Sequence, residues 1–149
     1  MGTLTRAEKS GFGRFLDDVT YIFADVTVSS LPALLYVWAN EPDSELALTA
    51  PALAAWTTMV VVGTLIRGGW ITPVGSKTLG WVSTRLSLLG ARLVYFNLVL
   101  LTSVYGSFGL AALIGIDGLV VPVAVAIGAT ATLAFPRIAD ELYDRFVRP

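Results

Sequence analysis

The chain has 149 residues, 55% of them hydrophobic and only 14% charged, with a mean hydropathy of +0.73. A soluble domain usually carries about 25% charged residues, so this composition excludes an ordinary cytosolic fold and points to a membrane protein. Cysteine and histidine are both absent, which excludes disulfides, thiolate and imidazole metal sites, imidazole-ligated haem and a histidine general base.

The opening stretch MGTLTRAEKSGFGRFLDD lacks an apolar run ending in a small-residue cleavage site, so the sequence predicts a retained N-terminus. Residues 1–19 read instead as an amphipathic segment. Phe12, Phe15, Leu16, Val19, Ile22 and Phe23 recur at helical spacing, opposite Arg14, Asp17 and Asp18. Thr5 to Glu8 has the form of a capping box, while Gly11 and Gly13 weaken a helix there.

A bilayer core of about 30 Å needs about 20 apolar helical residues. Four stretches qualify: 21–39, 50–66, 93–113 and 119–135. Each is an unbroken apolar run without the alternation of a transmembrane barrel strand, so helices are predicted. Residues 67–92 form a Gly- and Pro-rich connector expected to lie along the interface, with Trp70 and Trp81 at headgroup level. Residues 136–149 form an amphipathic tail with Phe135, Ile138, Ala139, Leu142 and Phe146 on one side. Its polar side carries Arg137/Glu141, Glu141/Arg145 and Asp144/Arg148 at i,i+4 spacing.

Charge sets the orientation. All ten basic residues lie before the first span, between the second and third, or after the fourth. The two other connections carry only Glu41, Asp43, Glu45 and Asp117. Both termini are therefore predicted on the cytoplasmic side, or inside a virion. The fold class is an all-α integral membrane protein, a four-helix transmembrane bundle forming a single membrane domain. On the inner side ten basic residues face seven acidic ones, a net of +3, which favours anionic headgroups and, more weakly, nucleic acid. Eight Arg against two Lys, acidic loops and abundant Ala, Val and Thr match a halophilic archaeon or its virus, a profile that high-GC bacteria share.

Within the spans, Asp25 is the only carboxylate, and Arg67 and Arg92 stand in the same inner layer. An ionisable group in a span marks function by default. A relay favours a carboxylate deeper in the bundle, so the expectation here is a charge tie of Asp25 with Arg92 or Arg67. Asn97 and Tyr95 are expected to bond across helices. Pro32 removes a backbone hydrogen bond in the middle of the first span, leaving a carbonyl in need of a partner. Ala124, Gly128 and Thr132 form one small-residue row for helix packing, and Ala126, Thr130 and Ala134 a second. Arg85, Arg92, Trp70 and Trp81 are candidates for lipid headgroup contact.

GGWITPVGSKT is no phosphate loop, because Ser76 separates Gly75 from Lys77 and no strand precedes it. No cofactor and no catalysis are expected. The predicted role is assembly, as an accessory or structural subunit of a membrane complex or an internal protein of an enveloped virus, with a homo-oligomer or other membrane subunits as partners. The alternative is a small oligomeric channel or transporter using Asp25 with Arg67 and Arg92.

Overall fold

A computed structural model of the chain describes residues 10–42, 47–73, 75 and 86–146, and these are helical wherever they are regular. Helix α1 is Gly11–Ala39 and α2 is Thr49–Gly68. Helix α3 spans Leu86–Ile114 and includes a π-turn at Thr102–Gly106. A single 3₁₀ turn, Asp117–Leu119, leads into α4, Val120–Phe146. All four are long and apolar enough to cross a membrane.

The helices sit at the corners of a square. α1 packs on α2 and α3, α4 packs on the same two, and the diagonals touch little. The core runs down the middle through Ile22, Val26, Met59, Phe96, Leu100 and Ala124, each fully enclosed. A smaller cluster of Val37, Ala52 and Val104 closes the end away from the termini. Outward positions are as apolar as the core. Val28, Leu53, Leu98 and Leu113 are all at least half exposed.

Three boundaries differ from those the sequence predicts. The predicted amphipathic segment and first span are one 29-residue helix from Gly11 onward. Ser10 starts it by accepting a hydrogen bond from the Gly13 N–H at 3.2 Å, and this cap with the packing behind it overrides the glycine penalty. The predicted tail is likewise continuous with the fourth span. Pro136 is buried within α4 and does not end it. Helix α3 begins at Leu86 rather than 93, because Leu88 and Arg92 are both buried and draw that turn into the bundle. The connector is correspondingly shorter than 67–92. Thr5 to Glu8, Trp81, Arg85 and Arg148 lie outside the described residues.

The π-turn has a geometric reason. The buried side of α3 repeats every four residues, through Leu88, Arg92, Phe96, Leu100 and Val104. On a helix of 3.6 residues per turn such a row drifts by about 40° per step. The wider π-turn takes up one extra residue and swings the row back by about 100°, so that Ser107 and Ala111 again face inward.

Candidate functional site

Polar groups inside the bundle form successive layers, beginning at the end that holds the first turns of α1. Asp18, Ile22, Asp25 and Ser29 follow helical spacing and share the buried side of α1, apart from a partly covered Asp25. Asp18 accepts from Arg67 Nε at 3.2 Å, with its side chain only 3% exposed. The Arg67 guanidinium also lies 3.7 Å above the centre of the Tyr21 ring, a cation–π contact. One turn further in, Arg92 Nη1 donates to Asp25 Oδ1 at 3.2 Å. Arg92 is 2% exposed and Asp25 14%. The second Asp25 oxygen, Oδ2, has no hydrogen-bond partner among the described residues.

The predicted cluster of Asp25, Arg67 and Arg92 is thus divided. Arg92 reaches Asp25, whereas Arg67 turns to Asp18. Beside the polar Asp17 and Arg14, Asp18 reads from sequence as part of the surface segment. Its spacing of seven from Asp25 is the sequence signal for one shared face. Arg92, expected at a headgroup, is enclosed by the bundle, with Nη1 on Asp25. Trp70 is 68% exposed and remains available to a headgroup layer.

The next layer joins two features that the sequence presents separately. Pro32 lies within α1, and its ring displaces the backbone of the preceding turn. The Ala33 N–H, which in a regular helix bonds to Ser29 O, donates instead to Asn97 Oδ1 at 2.7 Å. Ser29 O accepts from Asn97 Nδ2 at 2.7 Å. The side-chain amide of α3 is therefore inserted into the broken rung of α1 and satisfies both ends of it. Pro32→Ala should restore the rung and make Asn97 dispensable. Asn97→Ala alone should lower the melting temperature in detergent clearly more than Asn97→Ala combined with Pro32→Ala. Equal losses in the two backgrounds would show that the two residues act independently.

Tyr95 ties α3 to α4, donating to Ala131 O at 2.8 Å. Its ring joins Phe96 and Phe135 in an aromatic group with centroids 4.9–5.8 Å apart. Several buried hydroxyls turn back on their own helices, as Ser30 does to Val26 O at 2.6 Å and Ser103 to Val99 O at 2.8 Å, whereas Thr27 Oγ1 has no partner among the described residues. No group of residues suited to holding a metal ion occurs among the described residues.

The two small-residue rows of α4 face opposite ways. Ala124, Gly128 and Thr132 are buried, and at Gly128 the α4 backbone meets α2 directly. Ala126, Thr130 and Ala134 are exposed.

At the far end Glu41 caps α2 from the loop. Its carboxylate accepts from the N–H groups of Leu48 at 3.1 Å and Thr49 at 2.7 Å and from the Thr49 hydroxyl, filling helix-end donors that no residue of α2 serves. Lost hydration pushes the Glu41 pKa up. The hydrogen bonds from Thr49, Leu48 and Ala47 together outweigh this and hold it below the ordinary 4.5. The folded-state pKa is depressed, so the cap contributes fully above pH 4.5 and is lost as pH falls through the lowered value. The Thr49 amide resonance should therefore titrate below pH 4.5, and Glu41→Gln should abolish that titration.

No curated protein and no solved structure matches the chain. Residues 9–142 match the family described as Domain of unknown function (DUF8215), and the chain belongs to that family.

Proposed function

We propose that the protein is a non-enzymatic, multi-pass membrane protein that acts by assembly, as an accessory or structural subunit of a larger membrane complex or as the internal membrane protein of an enveloped virus. In this reading the four helices span a cell or virion membrane with both termini inside. The exposed Arg14, Arg137 and Arg145, with Trp70, then meet anionic headgroups. One observation carries the reading. The charged and amide side chains within the spans are engaged in holding helices to one another, through Arg67–Asp18, Arg92–Asp25 and Asn97 in the α1 break. Such a bundle offers surfaces rather than a reaction centre.

Native mass spectrometry of the protein, extracted gently from its own membrane, tests this. A defined complex with other polypeptides is expected. A particle without any companion chain would count against assembly. It would favour a second reading, a small oligomeric channel or transporter using Asp25 with Arg67 and Arg92. That reading draws on Asp25 Oδ2, which has no partner among the described residues, and on the broken turn of α1 beyond it. It requires that Asp25→Asn abolish flux into liposomes while the protein stays folded and assembled.

A further inference from the structure

We propose that the pocket at the end of the bundle away from the termini binds a primary alkylammonium group, carried by a free amine or by an aminophospholipid headgroup. The site depends on neither reading above.

The pocket holds about 320 Å³ between the start of α2, the last turns of α3 and the start of α4. Sites for small molecules begin at about 300 Å³. Ala50, Pro51 and Ala111 give it small apolar walls, and the half-buried Phe108 adds an aromatic one. Among the described residues that line it, only Asp117 can carry a charge.

The turn between α3 and α4 puts that carboxylate at the rim. Gly115 ends α3 in the left-handed region at φ 77°, Ile116 is extended, and Asp117 opens the 3₁₀ turn into α4. An acid at a helix start usually caps the helix it precedes. The Asp117 side chain does not: it accepts no hydrogen bond and makes no ion pair. Glu41, the other described acid at this end, is engaged by the N–H groups of Leu48 and Thr49. The two connections at this end carry no basic residue, so no cation of the chain competes for Asp117 and the local field favours cations from outside.

The lining selects among ligands. A calcium or magnesium ion needs several oxygen ligands and finds one carboxylate in apolar walls. A neutral apolar molecule would strip water from Asp117 and return no hydrogen bond. An alkylammonium meets both demands. Its N–H groups donate to the carboxylate in charge-assisted bonds, its chain covers the alanines and the proline, and an aromatic wall suits a cation.

The test is a titration of the labelled protein in detergent micelles with n-butylammonium chloride, read by the amide resonances of Ala111, Ala112 and Gly118. These should shift saturably, whereas n-butanol, of the same length without the charge, should not saturate over the same range. Asp117→Asn keeps a residue suited to a helix start and should raise the Kd about tenfold or more. Ala112→Phe, at an exposed position of the lining, should fill the pocket and abolish the shift with Asp117 still in place. Equal saturation by n-butanol, or a Kd unchanged by either substitution, would overturn the proposal. Nanodiscs then identify the source. Weaker n-butylammonium binding in phosphatidylethanolamine than in phosphatidylglycerol discs supports the site with a headgroup in it, and equal binding in the two supports it as a site for a free amine.

Discussion

Arg92→Gln should loosen the bundle by about 3–5 kcal/mol, the usual cost of stranding one partner of a buried ion pair. The exchange leaves the Asp25 carboxylate without its hydrogen-bonded partner and with only the weaker attraction of Arg67. Arg92 is among the largest fully enclosed side chains, so the loss of its packing adds to the loss of its charge. The melting temperature in detergent should fall steeply. Asp25→Asn should also lower the melting temperature, because it strands the more deeply buried Arg92 guanidinium, although the amide oxygen can still accept a hydrogen bond from it. The double variant should melt above Arg92→Gln alone, giving a clear non-additive term. If Arg92→Gln leaves the melting temperature unchanged, the pair does not hold α1 to α3. If the two losses simply add, Asp25 and Arg92 act on the fold separately.

Gly128→Leu is expected to separate α4 from α2. A Cβ at Gly128 would already stand 3.1 Å from Ala55 O and 3.4 Å from Ala55 Cα, both backbone atoms that no rotamer change can move aside. Three further carbons must then force the helices apart, at a cost of about 3 kcal/mol or more. The protein should lose its sharp elution profile on size exclusion and melt early. Gly128→Ala asks the α2 backbone to give by only a few tenths of an ångström and should be mild. Gly109→Leu is the control, since nothing lies within 4 Å of a Cβ there. Equal behaviour of Gly128→Leu and Gly109→Leu would mean that α2 and α4 do not meet at this point.

Much of the architecture is legible in the sequence. The four apolar runs mark the helices, and the small-residue row Ala124, Gly128, Thr132 marks the close approach. Asp25 and Arg92 can be picked out because charges are rare in such runs. What escapes has physical reasons. Asp18 looks like a surface residue until α1 is known to continue inward without a break, which depends on the Ser10 cap and on Arg67 from another helix. Arg67 has two acids within its level, and only the relative rotation of α1 and α2 decides between them. Pro32 and Asn97 each announce an unmet hydrogen-bonding need. Matching them requires the register between α1 and α3, which no local pattern encodes. The tail of α4 reads as a separate segment because charged residues follow the apolar run there, yet the chain on both sides has packing to continue on.

The π-turn of α3 also bears on how this family can vary in length. Thr102–Gly106 holds one residue more than a regular helix of the same height requires. A chain lacking a single residue there would wind evenly and still turn Ser107 and Ala111 toward their neighbours. Deletion at this place is therefore a change in residue number, at unchanged helix height, that the bundle can absorb without re-facing the segment beyond it. Family members one residue shorter are expected to carry the gap here, with a plain helix where this chain keeps its wide turn.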